Sequence, residues 1–288
     1  MAVTGPASTP GDEEQPRPAS YQEPIQEPIQ DPIDSHNPFA ALDRLSNLEF
    51  GPAQTFEELK DAYRLVYHSY LGRDYIEPNP AGMRFWVHNL LPETATFVAK
   101  LAGSVVSTVT LVVDSPLGLP MDKVYRHELS NLRSDGHRLG EVTMLADRRR
   151  RFARTVPVVV ALFRLILDYA RSLPLTELCI TINPRHEGFY RKVLHFEELG
   201  ELKRYQSVRD NPALAKYLSL ARLDELIVSD PRFATWYEQA ARVRRRPLED
   251  RLELTPYHVR ELLGYLTDPL PQAVREYLAG LYGTNCLP

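Results

Sequence analysis

The feature that most constrains this chain is an apolar strand–helix–strand pattern in its middle. Residues 141–146 (EVTMLA) are typical of a buried strand, residues 156–173 (VPVVVALFRLILDYARSL) predict a long apolar helix, and residues 177–182 predict a second strand. A helical crossover of this kind joins parallel strands, because the chain has to return before it can run in the same direction again. Thr155 is placed to be the N-cap of the helix, and Pro157 is tolerated in a first turn.

The elements on either side of this pattern predict a mixed α/β core. Thr55 and Glu58 have capping-box spacing at the start of an amphipathic helix. Two runs rich in β-branched residues, 94–101 and 104–114, are separated by Ala-Gly and predict a hairpin. Two further helices are predicted, at residues 121–133 and 185–194. The order α, β, β, α, β, α, β, α favours a mixed central sheet flanked by helices.

The composition divides the chain into three regions. Residues 1–47 are rich in Pro, Gln and Glu and include the near-repeat QEPIQEPIQDPI at 22–33, so we expect a disordered tail. Residues 48–209 hold the predicted α/β domain. Residues 210–288 read as helical, with a helix start signal at Thr255-Pro256, and are predicted to be an appended helical region.

Composition and charge exclude several classes of protein. The formal net charge of −4 over 288 residues gives no overall attraction to nucleic acid. Neither a run of about 18 apolar residues nor a signal-peptide pattern is present, so we expect no transmembrane segment and no secretion. Cys179 and Cys286 are too distant in sequence to indicate a disulfide framework, which favours the cytoplasm. The histidines have no metal-ligand spacing, and no metal is expected.

Positive charge is concentrated between the strand and the helix of the central pattern. The residues concerned are Arg148, Arg149, Arg150, Arg151 and Arg154. A helix N-terminus offers free backbone N–H groups and a partial positive charge, and phosphate groups bind there. Guanidinium groups beside it would strengthen that attraction, so a phosphate-bearing partner is predicted. The alternative is an ordinary solvated loop.

The loop and five longer segments resemble known acyltransferases. In the loop, Arg150, Ala153 and Thr155 follow the spacing of the GNAT superfamily of N-acyltransferases, although Thr155 replaces the usual small residue. The segments are YLGRDYIEPNPAGMR (70–84), HNLLPETATFVAK (88–100), TVTLVVDSPLGLPMD (108–122), GEVTMLA (140–146) and NPRHEGFYRKVLHFEELG (183–200). Over about residues 55–205 the chain is similar to the FeeM-type long-chain N-acyl amino acid synthases, which are related to the acyl-homoserine-lactone synthases.

The resemblance implies a GNAT-like mixed sheet and a specific reaction. A long-chain fatty acyl group would pass from the phosphopantetheine thioester of an acyl carrier protein to the amino group of an amino acid. Carrier proteins are acidic, so the arginines would attract one while the loop amides hold the phosphate of its pantetheine arm. No covalently bound cofactor is implied, because acyl-phosphopantetheine or acyl-CoA is the donor substrate.

Candidate catalytic groups lie on the central strand and on the helix after the next strand. Glu141 is the candidate general base, because the attacking amine has to lose a proton. Strand alternation predicts that Thr143 and Leu145 share its face of the sheet and that Met144 does not. The resemblance implies that backbone N–H groups of Met144 and Leu145 stabilise the oxyanion, and that Tyr190 protonates the departing thiolate.

The candidate pocket residues Arg84, Phe85 and Trp86 would line the site for the amino acid or the acyl chain. Each of these assignments has a structural alternative. Glu141 could form an ion pair with Arg138 at the strand edge, and the aromatic candidates could be core residues.

Two positions argue against a homoserine-lactone product. Thr110 and Met144 stand where the acyl-homoserine-lactone synthases usually carry arginine, so recognition of S-adenosylmethionine is not expected. Two other functions remain open at this point. One is an acyl-CoA-dependent N-acyltransferase with another small amine as acceptor, and the other is a non-catalytic module that binds an acyl thioester or an acyl carrier protein.

Overall fold

Within the part of the chain that the structure describes, a seven-stranded mixed sheet carries helices on both faces. The computed structural model describes residues 45–148, 152–266 and 268–288, and for residues 152–155 it describes the backbone only. The strands are β1 (Leu48–Pro52), β2 (Ala95–Leu101), β3 (Ser104–Val113), β4 (Leu139–Asp147), β5 (Glu177–Ile182), β6 (Glu197–Tyr205) and β7 (Asn211–Ser219). The helices are α1 (Phe56–Leu71), α2 (Asp122–Ser134), α3 (Phe152–Ser172), α4 (Glu187–Lys192), α5 (Leu220–Ser229), α6 (Pro231–Ala241), α7 (Pro256–Leu263) and α8 (Gln272–Tyr282).

The sheet has the strand order β1-β2-β3-β4-β5-β7-β6. Strands β4 and β5 run parallel, and the neighbouring strands elsewhere in this sheet run antiparallel. Helix α3 makes the crossover between the parallel pair, as the apolar strand–helix–strand pattern predicts. The predicted fold class, a mixed sheet flanked by helices with further helices appended, is therefore confirmed.

Two local predictions are also confirmed. The hydroxyl of Thr55 accepts a hydrogen bond from the backbone N–H of Glu58 at 3.2 Å and caps α1. In the β2–β3 hairpin, Ala102 has φ of 48° and Gly103 has φ of 83°. Positive φ at both central residues is characteristic of a type I′ turn, whose twist matches that of the two strands it joins.

The two faces of the sheet bury different helices. Val158, Leu162 and Leu165 of α3 are fully buried on one face, in a cluster that also contains residues of α5 and α6. On the other face, α2 buries Tyr125 and Leu129 against β3, β4 and β5. Helix α1 packs on the same face as α2, over the far part of β4.

The predicted domain boundary at residue 209 is wrong, because the sheet continues beyond it. Residues 211–219 form β7, which lies between β5 and β6 and pairs with both. Strands β6 and β7 were not predicted from the sequence. Strand β7 (NPALAKYLS) is rich in alanine, and β6 is a largely exposed edge strand without apolar alternation. Strand β1, at the other edge, was missed because it is only five residues long. The predicted tail lies outside the described residues up to position 44.

The C-terminal helices complete a core rather than form a separate unit. The buried residues Val259, Leu262 and Leu263 of α7 and Leu278 of α8 share one cluster with Leu59, Tyr63 and Val66 of α1. Between α6 and α7 the chain runs along the β1 edge of the sheet. There the Phe50 N–H donates to the Arg244 carbonyl at 2.8 Å, and the Arg246 N–H donates to the Phe50 carbonyl at 2.7 Å. These bonds cover part of the β1 edge, which would otherwise be open to pairing.

Leu262→Ala should therefore destabilise the whole domain. Leu262 is 0% exposed, and removing a buried leucine side chain costs about 2–5 kcal/mol through lost burial and the cavity left behind. Urea unfolding should show one transition with a lower midpoint. The matched control is Tyr257→Ala on the same helix, where the side chain is 70% exposed and the change should stay within about 0.5 kcal/mol. An unchanged main transition in Leu262→Ala would mean that the helices unfold separately.

Candidate active site

The parallel strands β4 and β5 separate part-way along their length. Their pairing runs from Leu139 opposite Glu177 to Val142 opposite Ile180. Beyond Val142, β4 continues to Asp147 without a partner on β5. The two strands therefore leave an opening toward their carboxyl ends, the edge at which parallel α/β sheets bind ligands.

A β-bulge in β4 begins directly beyond the last paired residue. Thr143 lies opposite Thr110 and Ala146 opposite Thr108, so two residues of β4, Met144 and Leu145, oppose a single residue of β3. Met144 has φ of 56°, in the left-handed region that residues other than glycine seldom adopt. A bulge bends its strand and increases the local twist. The bend turns β4 away from β5 at the start of the opening.

The bulge also corrects the predicted alternation of side chains along β4. Val142 packs in the cluster of α3, whereas Met144 and Ala146 pack with α1 on the opposite face. Leu145 contacts the α3 cluster, so it does not share a face with Glu141 as simple alternation predicts. The extra residue of the bulge reverses the phase of every side chain that follows.

A narrow cavity of about 80 Å³ lies in the opening between β4 and β5. The predicted site residues Thr143, Met144, Leu145 and Tyr190 all line it. The remaining lining residues are Tyr70, Val109, Val142, Val159, Phe163, Ile180 and Thr181. The structure thus brings together the predicted oxyanion backbone and the predicted proton donor. Tyr70 is not among the predicted site residues, and its place in the cavity depends on how α1 packs.

Helix α4 holds Tyr190 against the cavity. The ring of Tyr190 packs edge-on against Phe189 and Phe196, and burial raises the pKa of its hydroxyl well above the ordinary range. One turn earlier, Glu187 accepts a bond from Lys216 of β7 at 2.9 Å, and the Lys216 side chain is only 2% exposed. A buried ammonium needs a partner, so this ion pair fixes the short helix to the sheet.

Glu141 is buried beside the cavity but does not line it. It lies in register with Val112 of β3 and Cys179 of β5, residues that pack under α2, and its side chain is therefore on the α2 face. The carboxylate Oε2 accepts a bond from the backbone N–H of Met121 at 2.8 Å, at the start of α2. The alternative ion pair with Arg138 is not formed, since that guanidinium bonds to the carbonyl of Pro174.

The protonation of Glu141 is set mainly by its burial. Burial raises the pKa of this carboxyl to about 8, the N–H of Met121 opposes the shift, and the nearby charge of Asp122 adds to it. A group with this pKa exchanges a proton readily near neutral pH, which suits a general base.

The predicted pocket residues Arg84, Phe85 and Trp86 divide between site and core. Phe85 stacks on Tyr63 at 5.1 Å between ring centroids, is buried in the cluster of α1 and is not among the residues that line the cavity. Arg84 lies with its guanidinium carbon 5.0 Å from the ring centroids of both Tyr70 and Trp86. Because Tyr70 also lines the cavity, Arg84 is one aromatic ring away from it.

Most of the arginine loop lies outside the described residues. Arg149, Arg150 and Arg151 are not described, and for Ala153, Arg154 and Thr155 only the backbone is. That backbone is already helical at Phe152, so Thr155 is inside α3 rather than at its N-cap, and Pro157 is in the second turn.

Arg148 is described and is exposed at the end of β4. Its backbone N–H donates to the Val106 carbonyl at 2.8 Å, so this amide is not available to a phosphate. Its side chain lines a cleft of about 650 Å³ together with Arg64, His68 and Arg73 of the α1 region. Asp61 and Asp147 also line this cleft, so its charged lining residues are three arginines and two aspartates.

A metal site and a membrane-spanning helix are both absent from the described residues. No group of three or more His, Cys, Asp or Glu side chains in the described ranges is arranged to hold a metal ion. None of the described helices combines the length and the apolar character needed to cross a membrane.

The chain is similar to proteins of known structure. A family model described as N-acyl amino acid synthase FeeM matches residues 61–219, more than half of the chain. The structure of FeeM, from uncultured soil microbes, aligns with a TM-score of 0.53 and 29% identity over 60% of this chain and 91% of FeeM. BjaI, a CoA-dependent acyl-homoserine lactone synthase, aligns with a TM-score of 0.51 and 12% identity over 81% and 98% of the two chains. The second likeness concerns the fold alone. No curated protein sequence matches this chain.

The buried carboxyl predicts a stability difference that depends on pH. Glu141 has a pKa of about 8 in the folded chain and an ordinary value near 4.5 when unfolded. Between these values the folded state holds more protons, so the wild-type protein loses free energy of unfolding as pH rises, by about 1.4 kcal/mol per pH unit. Glu141→Gln removes this loss, and its stability relative to wild type should grow from pH 5 to pH 8 in urea unfolding.

Glu238→Gln is the matched control for this measurement. Glu238 is exposed on α6, so the same change of side chain removes no buried carboxyl there, and the stability should stay within about 0.5 kcal/mol of wild type. A difference between Glu141→Gln and wild type that stays constant from pH 5 to pH 8 would contradict the raised pKa.

Proposed function

Because this chain belongs to the family of FeeM N-acyl amino acid synthases, we propose that it joins a long-chain fatty acid to the amino group of an amino acid. The family and the GNAT-like fold agree with the sequence-based predictions, and the chain is an N-acyltransferase. The donor in our proposal is the phosphopantetheine thioester of an acyl carrier protein. The acceptor is a free amino acid.

The separated strands β4 and β5 are the observation that carries this proposal. Their opening is lined by the bulged backbone at Met144 and Leu145 and by the hydroxyl-bearing ring of Tyr190. A thioester carbonyl placed there would have backbone N–H donors on one side and a proton donor for sulfur on the other. Preorganised donors of this kind stabilise the charge that develops on the carbonyl oxygen during acyl transfer.

The reaction requires one proton to leave the acceptor and one to reach the thiolate. The amine nitrogen attacks the carbonyl carbon, the C–N bond forms, and the C–S bond breaks. Glu141 takes the proton of the amine, either directly from the α2 side of the sheet or through a water molecule, since its carboxyl lies outside the cavity lining. Tyr190 gives a proton to the departing sulfur.

The cleft beside Arg148 supports an acidic carrier as the donor. Arg64, Arg73 and Arg148 line it at the end of β4, next to the start of the arginine-rich loop. An acidic protein approaching this end of the sheet would be attracted over a distance of about 10 Å at moderate ionic strength.

Both cysteines in the described residues are buried free thiols, as suits a cytoplasmic reaction.

The purified protein should form N-acyl amino acids from an acyl carrier protein loaded with a long-chain fatty acid. Mixtures of the twenty amino acids with the loaded carrier, or with the matching acyl-CoA, would be analysed by mass spectrometry for an amide product. We expect product with the carrier and less with CoA. If product forms with acyl-CoA and not with the loaded carrier, the choice of donor is overturned. If neither donor gives an amide, the proposed function is overturned.

Glu141→Gln should lower turnover without weakening donor binding. General-base catalysis contributes about 10²- to 10⁴-fold, so we expect kcat to fall in that range with KM for the donor within about twofold. In the wild-type protein kcat/KM should rise with pH up to about 8, where the Glu141 carboxyl ionises, and this rise should be absent in the variant. Glu238→Gln should behave as wild type. Full activity of Glu141→Gln at every pH would exclude Glu141 as the base.

A further inference from the structure

Arg84 is a partly buried cation without a carboxylate partner among the described residues. Its Nη2 donates to the carbonyl of Ser207 at 2.8 Å, and its Nε is buried with no hydrogen-bond partner. Tyr70 and Trp86 flank the guanidinium with their rings. Many arginines of this chain have a carboxylate within 4 Å, for example Arg133 with Asp114 and Arg246 with Glu58.

Leaving this guanidinium unpaired costs free energy. Burial lowers the pKa of Arg84, and the surrounding groups that oppose this change are the hydroxyls of Tyr70 and Tyr205 rather than a carboxylate. A desolvated charge with unused hydrogen-bonding capacity is destabilising unless a binding partner completes it. Arginine presents its donors in a planar fork that matches the geometry of a carboxylate.

The position of Arg84 relative to Glu141 indicates which carboxylate would complete it. Tyr70 and Tyr205 each interact electrostatically with both the Arg84 guanidinium and the Glu141 carboxyl. The hydroxyl of Tyr205 is fixed by donating to the carbonyl of Pro120, directly before Met121, whose N–H bonds to Glu141. A cation and a proton acceptor thus lie near the same pair of tyrosines.

We propose that Arg84 binds the α-carboxylate of the acceptor and that it thereby selects amino acids over other amines. This inference rests on the proposed function and assigns the group that recognises the acceptor. An α-amino acid carries its carboxylate and its amine on one carbon atom. With the carboxylate held by the guanidinium fork, the amine is directed toward Glu141 and the opening between β4 and β5. Tyr70 contacts the Arg84 guanidinium with its ring and also lines the cavity, so it holds the cation beside the opening.

The test compares two acceptors in the same enzyme. Wild-type protein and Arg84→Gln would each be assayed with an amino acid and with the carboxamide of that amino acid, which keeps the amine and the side chain but lacks the anion. The wild-type protein should prefer the amino acid in kcat/KM by at least about 10-fold, because a charge-assisted bidentate bond is lost with the amide. In Arg84→Gln the ratio of the two kcat/KM values should fall to about 1, mainly through a higher KM for the amino acid.

Two further variants separate recognition from a structural role. Arg84→Lys keeps the charge but not the planar fork and should retain part of the preference. Arg232→Gln removes an exposed arginine on α6 and should leave the preference unchanged. Because both acceptors are measured on the same preparation, partial unfolding of Arg84→Gln would lower both rates equally and would not alter their ratio.

The outcomes distinguish this inference from the proposed function. If the wild-type protein acylates the amino acid and its carboxamide equally well, the role of Arg84 is overturned while the proposed function stands. The same holds if the preference persists unchanged in Arg84→Gln. If the wild-type protein acylates no amino acid with any donor, the proposed function fails, and the role of Arg84 fails with it.

Discussion

The separation of two parallel strands is the constraint on which the rest of this site depends. Pairing between β4 and β5 stops at Val142 and Ile180, and a bulge at Met144 bends β4 away from its neighbour. The open backbone and the cavity beside it follow from that bend. A left-handed residue in a strand carries a local cost, which the packing of Met144 against α1 and its contact with the Asn89 side chain help to offset.

The site combines two kinds of buried polar group that are held in different ways. Lys216 is paired with Glu187, and this fixed contact positions α4 and Tyr190. Glu141 has a backbone N–H as its partner, and Arg84 has a carbonyl and two aromatic rings. The Lys216–Glu187 pair has a structural role. Glu141 and Arg84 are incompletely neutralised and lie close to a cavity, where recognition and proton transfer are expected. The proposed acceptor would satisfy both at once.

Several elements could be predicted because their signals are local. The capping box at Thr55, the Ala-Gly hairpin and the apolar crossover through α3 all encode their structure in a few neighbouring residues. Strands β6 and β7 could not be predicted in this way. Their pairing partners are distant in sequence, and their side chains are polar or small, so neither shows the alternation of a half-buried strand.

The sequence by itself determined that β4 and β5 are parallel neighbours, that Glu141 lies in the first of them, and that Tyr190 follows the second. It also carried the family resemblance, because segments in a fixed order preserve identity without any knowledge of contacts. Only the tertiary structure decided which face each side chain occupies, since the bulge at Met144 reverses the alternation. It likewise placed Phe85 in the core and Arg84 beside the cavity, because neighbours in sequence point in different directions once the chain is packed.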